Sequence, residues 1–404
     1  MAHIRFFQHQ QVRLLQGAVE LFAAVIAEID ASHYEVRLET YIFNFDRQGE
    51  RLAQALVRAA QRGVAVYLVV DGVGTPTMPP AWVRGFSAAG VRWHRYSPVG
   101  YWSVFVPGQW RRLHRKLCVV DGVVAFCGGI NVLDDFTDPN HGPLPSPRFD
   151  FAVQVRGLLA GEVQQAMEQF WARLDLVRQV EHRHWKQAGQ LLAQAALPSA
   201  PVAEVAGPPV PGDGAWAALV LRDNLRHRSR IEQAYRKAIA DARSEVLIAS
   251  AYFVPGRKLR RALAHAAQRG VRVRVLLQGR YEYFMQYHGA RTVYGALLDA
   301  GVEIYEYTGG FLHAKVAVVD QRWATVGSSN LDPLSLLLAR EANVMVRDGP
   351  FAQQLRQRLL DALQSKAVRV DQASYAQRGP WQRSMDMLAL AFMRVLLFTT
   401  GSRY

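Results

Sequence analysis

The sequence predicts an α/β protein of two repeated lobes, each with a mixed, largely parallel sheet flanked by helices. One block of strand, helix, strand, helix, strand and hairpin is written twice along the chain. Within each block, short β-branched runs alternate with amphipathic ones, the pattern of a largely parallel sheet covered by helices. At 404 residues the chain is long enough for each copy to bury a core of its own.

The repeat can be followed element by element. "VRLETYIF" (36–43) and "VLIASAYF" (246–253) read as the first buried strand of each block. "AAQRGVAVYLVVDG" (59–72) recurs as "AAQRGVRVRVLLQG" (266–279), where an amphipathic helix leads through Gly into a second strand. "AAGVRWHRY" (88–96) and "DAGVEIYEY" (299–307) supply the third. Each block then reaches "LHRKLCVVDGVVAFCGGIN" (113–131) or "FLHAKVAVVDQRWATVGSSN" (311–330), two apolar runs joined by an acidic turn, which is a hairpin pattern.

Composition places the boundaries. "LPSAPVAEVAGPPVPGDGA" (197–215) is rich in Pro, Gly and Ala, so the first repeat is expected at 1–195, a linker at 196–214, the second repeat at 215–368 and a C-terminal tail at 369–404. The first half carries an insertion, "SPVGYWSVFVPGQWRR" (97–112), either a substrate lip or an ordinary surface loop. No signal peptide or membrane span is expected. The tail is apolar from Met385 to Thr400 but short and interrupted by Arg394, so it suits a helix lying on a membrane or docked on the protein. Cys118 and Cys127 fill apolar positions of adjacent strands without a CxxC pattern, and read as packing residues. The formal charge of +14 favours polyanionic partners, nucleic acid or an anionic membrane.

Positions two apart on a strand share a face, which pairs His114 with Lys116 and His313 with Lys315. The hairpins fold Gly129 to Asn131 back beside His114, and Ser328 to Asn330 back beside His313. Each cluster is half of a phosphate site, with Lys, Ser328, Asn131 and Asn330 to hold oxygens and an imidazole to move a proton. Facing copies would make a whole site, one histidine attacking phosphorus while the other protonates the leaving oxygen. No metal or other cofactor is called for. Each histidine needs an acid to fix its tautomer, and we assign Asp150 to His114 and Glu341 to His313. Asp121 and Asp320 begin turns with the opposite strand parity to their histidines, which points to a structural role.

The pattern HxKxxxxDxxxxxxG(G/S)xN, at His114 to Asn131 and at His313 to Asn330, resembles the phospholipase D superfamily over nearly the whole chain. The resemblance implies the phospholipase D fold, an active site at the lobe interface, a metal-free phosphohistidine intermediate, and catalytic roles for His114, Lys116, Asp121, His313, Lys315 and Asp320. It also implies that His114 is the nucleophile. "WATVGSSNLDPLSLLLAREANV", "DNLRHRSRIEQAY" and "YFVPGRKLRRAL" are similar to bacterial cardiolipin synthases of the type B branch, which lack the two N-terminal membrane helices of longer enzymes. That implies transfer of a phosphatidyl group between two phosphatidylglycerol molecules, giving cardiolipin and glycerol. The implied partners are anionic phospholipids, phosphatidylglycerol and cardiolipin, and a membrane surface, with nucleic acid disfavoured. The implied location is peripheral, on the cytoplasmic face of the bacterial cell membrane. Tyr41, Tyr252, Tyr281, Phe284 and Tyr287 either line an acyl entrance or pack in the core. A nuclease of the same superfamily and a non-catalytic basic membrane-binding protein are the rival readings.

Overall fold

The computed structural model describes residues 4–98, 110–139, 141–181, 214–223, 229–281, 284–332 and 339–399. Residues 99–109 of the insertion and 196–213 of the linker lie outside them. In the first half, β1 (Phe7–Gln16) and α1 (Gly17–Asp30) precede the repeat proper. It follows as β2 (Glu35–Thr40), α2 (Arg47–Gln61), β3 (Ala65–Asp71), α3 (Pro80–Ala89) and β4 (Arg92–Tyr96). A short β5 (Arg112–Leu113) then leads into the hairpin β6 (Lys116–Val120) and β7 (Val124–Gly128). The small strands β8 (Thr137–Asp138) and β9 (Gly142–Pro143), then β10 (Phe151–Arg156) and α4 (Leu158–Glu181), complete it.

The second half repeats the order. It contains β11 (Ala215–Arg222), α5 (Arg230–Asp241), β12 (Glu245–Ser250), α6 (Arg257–Gln268), β13 (Arg272–Gln278), α7 (Phe284–Arg291), α8 (Tyr294–Asp299) and β14 (Glu303–Tyr307). The second hairpin is β15 (Lys315–Val319) and β16 (Trp323–Gly327), followed by β17 (Ala339–Arg347) and α9 (Gly349–Lys366). A short β18 (Ala367–Arg369), α10 (Gln372–Ala376) and α11 (Pro380–Thr399) follow.

The repeated "AAQRGV" text explains itself in this frame. α2 buries Leu52, Leu56 and Ala59 on one face, and α6 buries Leu259, Leu263 and Ala266, a helical period. Asp46 caps α2 by accepting from the backbone N–H of Gln48 and Gly49. Gly63 and Gly270, at φ +89° and +87°, turn the chain out of each helix into its strand. Apart from the short β5 on β17, the parallel strand pairs lie in β2–β3–β4 and β12–β13–β14, where helices make the crossovers. From β12 across to β2 every neighbour is antiparallel, because hairpins and the repeat junction connect those strands.

The halves do more than face each other. β1 pairs with β11, so that both sheets merge into one of sixteen strands. α4 and α9 cover its centre, packing Leu159, Val163, Leu355 and Leu359 on β-strand residues of both halves in a shared core. α1 to α3 and α5 to α6 enclose two further cores, one per half. Cys118 and Cys127 are free and buried as packing residues, with burial pushing both thiols up to about 12.

Candidate active site

The hairpin register is the one the sequence implies: Lys116 lies opposite Gly128, and Val316 opposite Val326. Both turns place two residues at positive φ, Asp121 and Gly122 (51° and 67°), and Asp320 and Gln321 (49° and 55°). Asp121 and Asp320 do not reach the histidines. Asp121 accepts from the backbone N–H of His33, Tyr34 and Glu35 at 2.8–2.9 Å, and Asp320 from Arg243, Ser244 and Glu245 at the same range. Each carboxylate ties its hairpin to the start of β2 or β12. Their catalytic assignment is therefore corrected to a structural one, on the side their strand parity indicated. We expect Asp121→Ala and Asp320→Ala each to lower stability by about 1–2 kcal/mol in denaturant titrations, while turnover per folded molecule changes little.

At the other end of the hairpins the four motif side chains share one site. His114 and His313 are largely buried, and Lys116 and Lys315 almost wholly so. Charge on Lys315 bears on His114, and charge on Lys116 bears on His313, which places the two halves' groups together. Each lysine donates to the carbonyl of its own histidine, Lys116 Nζ at 2.8 Å to His114 O, and Lys315 Nζ to His313 O. Every lysine ammonium is thus held two residues along from the imidazole it serves.

The orienting acids are exchanged relative to the sequence assignment. His114 Nδ1 lies 3.0 Å from Glu341 Oε1, and His313 Nδ1 lies 2.7 Å from Asp150 Oδ2. The backbone gives the reason. Leading into His114, β5 pairs in parallel with β17 (Arg112 with Ala339, Leu113 with Arg340), and His114 N–H donates to Arg340 O. Leading into His313, Leu312 bridges Phe149, and His313 N–H donates to Phe149 O. Arg340 precedes Glu341 and Phe149 precedes Asp150, so each histidine meets the acid of the opposite half.

The glycine-serine difference in the motifs follows from the same geometry. Ser328 is fully buried and its hydroxyl turns to Glu341 Oε2 at 2.5 Å, so it orients the carboxylate and does not face phosphate as expected. At the matching place in the first half, a Cβ on Gly129 would stand 2.5 Å from Asp150 Oδ1. Asp150 needs the room that Ser328 fills beside Glu341. Gly129→Ala is expected to push Asp150 off His313 and reduce turnover about 10- to 100-fold with the fold retained by circular dichroism. Asn131 and Asn330 are buried beside the hairpin ends, with Asn131 Oδ1 accepting from Ile42 N–H at 3.2 Å.

Charge differs between the two histidine–acid pairs. Burial works to raise Glu341, but His114, Lys116 and the cross-strand neighbour Arg222 outweigh it and hold the carboxyl below its ordinary value. Burial pushes Asp150 up to about 7 despite the nearby Lys315. Burial lowers both imidazoles, His313 well below its usual value with both lysines adding to the effect. Lys116 is brought down to about 7 by burial, against the pull of Glu341. At neutral pH His114 therefore faces a firm carboxylate, whereas the partner of His313 titrates.

Three side chains join the site without a motif to announce them. Asp71 ends β3 fully buried and accepts from Leu113 N–H at 2.7 Å, fixing the residue before His114. Tyr41 sets its ring 5.1 Å from that of His114, with Lys116 Nζ 5.7 Å from the same ring. Arg222 is fully buried opposite Glu341. An acid at the end of the second strand of the repeat, β3, was the available signal for Asp71. Of the other aromatic candidates, Tyr281, Phe284 and Tyr287 gather around His288 on the α7 side.

A family model described as "Cardiolipin synthase, PLD-like domain" matches residues 25–141 and 235–362, one stretch per repeat. The chain is 37% identical over 389 residues to cardiolipin synthase B of Salmonella typhi, covering 95% of this chain and 88% of that protein. It is 36% identical over 384 residues to cardiolipin synthase B of Escherichia coli K12, with the same coverage. Among solved structures, phosphatidylserine synthase of Haemophilus influenzae superposes with a TM-score of 0.64 at 14% identity, covering 97% of this chain and 95% of that one, a likeness of fold.

Proposed function

Because the chain belongs to the phospholipase D-like cardiolipin synthase family, we propose that it transfers a phosphatidyl group from one phosphatidylglycerol to a second, releasing glycerol. The observation that carries the reading is the paired His–Lys site with its crossed carboxylates. His114, oriented through Nδ1 by the ionised Glu341, presents Nε2 to phosphorus. A bond from Nε2 to phosphorus forms as the bond from phosphorus to glycerol oxygen breaks, and His313 gives that oxygen its proton. His313 then takes the proton of the incoming hydroxyl, whose oxygen displaces His114. Lys116 and Lys315 hold the phosphate oxygens as negative charge concentrates on them.

Glu341 supports the assignment of His114 as nucleophile, because a phosphorylated imidazole that keeps its Nδ1–H is stabilised by a carboxylate that stays charged. Shielding the intermediate from water matters, since hydrolysis would give phosphatidic acid instead. The substrate lives in a bilayer, so the proposal includes peripheral attachment to the cytoplasmic face of the membrane, where anionic lipid attracts a chain of net charge +14. The test is to incubate the purified protein with phosphatidylglycerol vesicles and identify the products. Cardiolipin with glycerol is the expected result; phosphatidic acid alone, or no lipid turnover, would overturn it.

A further inference from the structure

The C-terminal helix α11 is anchored through a buried acid and leaves several large apolar residues in the open. Asp386, almost fully buried, bonds His288 Nδ1 of α7 at 2.8 Å and Arg378 Nη1 at 2.6 Å. Ala389, one turn on, is also buried. In contrast Trp381, Met387, Leu388, Phe392 and Val395 are each more than half exposed. Positions 381, 388, 392 and 395 follow a helical stripe. A helix docked for packing alone would turn this stripe inward and Asp386 outward.

The sheet fixes where the stripe lies. Ser250, at the end of β12, pairs with Lys315 on one side and Leu277 of β13 on the other. The chain therefore leaves β13 at the end of the sheet that carries the second His–Lys pair, and α7, on which α11 rests, follows at once. Arg280 on that connection and Arg383 on α11 are exposed cations. Among the described residues no helix is long and apolar enough to cross a membrane. An apolar stripe, a Trp at the helix start and a net charge of +14 together fit the headgroup boundary of an anionic bilayer.

We propose that the outward stripe of α11 is the protein's bilayer-docking surface, lying flat in an anionic leaflet and bringing the rim of the active site to the headgroups. The lipid reading of the site supplies the reason for a bilayer as partner, but the test needs no turnover. Leu388→Cys and, at the opposite end of the sheet, Tyr34→Cys each offer one exposed thiol for an environment-sensitive fluorophore. The native Cys118 and Cys127 are buried with thiols pushed up to about 12, and stay unlabelled.

With vesicles of phosphatidylcholine and phosphatidylserine, emission from position 388 should shift to the blue while that from position 34 does not. Leu388→Asp combined with Phe392→Asp should weaken vesicle partitioning by at least about tenfold. The same variant should keep its rate on detergent-dispersed phosphatidylglycerol within about twofold. No vesicle binding by the native chain, equal binding by the double variant, or an unshifted probe on bound protein would each overturn the proposal. So would a probe already shifted without lipid in a concentration-dependent way, which would assign the stripe to a second copy of the chain. Vesicle docking without cardiolipin formation would leave this surface standing and remove the functional reading.

Discussion

His114→Ala and His313→Ala are each expected to lower cardiolipin formation by at least about 10⁴-fold, yet to fail at different steps. An aryl phosphodiester separates the two, because its leaving group departs as an anion and needs no proton. On such a substrate His313→Ala should still release one equivalent of phenol per site and then stall, with the phosphoryl group bound at His114 and visible by intact mass. His114→Ala should release none. The difference arises because only the nucleophile is needed to break the first bond, whereas the incoming hydroxyl must lose a proton to His313 before it can attack. A stoichiometric burst in His114→Ala and its absence in His313→Ala would exchange the roles.

How much of this was legible in the chain differs by level. The repeat, the strand and helix order and the motif residues follow from text written twice: "AAQRGV" specifies a helix ending in a left-handed Gly, and HxK specifies one face of a strand. The structural role of Asp121 and Asp320 was legible from parity, since a residue seven positions from its histidine lies on the other face of the strand. The acid pairing was not. Asp150 and Glu341 were visible as candidates, but which histidine each serves is decided by Phe149–Leu312 and Arg340–Leu113 contacts between halves, and spacing within one half says nothing about those. The merging of two sheets through β1 and β11 was hidden for the same reason. Ser328 was misplaced because its offset from His313 fixes its position in the hairpin, whereas its hydroxyl follows the carboxylate across the adjacent strand.

The crossed carboxylates make a second large prediction that the aryl substrate can also read. Glu341→Gln should slow the burst itself about 10²- to 10⁴-fold, since an amide can present its NH2 to the imidazole and favour the wrong tautomer of His114. Asp150→Asn should leave the burst near the native rate and slow the steady state by a comparable factor, because His313 acts on the hydroxyl that resolves the intermediate. Pairing within each half predicts the reverse order, a slow burst in Asp150→Asn and a normal one in Glu341→Gln. The two carboxylates should also differ in pH dependence. Glu341, held below its ordinary value, stays charged on the acid side of neutrality and the burst should not fade there, whereas Asp150, pushed up to about 7, loses its charge as pH falls through that value. The resolving step in the native chain should therefore fade on the acid side of neutrality, and Asp150→Asn should abolish that fade. A fade that survives in Asp150→Asn would assign the titration to another group and remove the argument for unequal histidine partners.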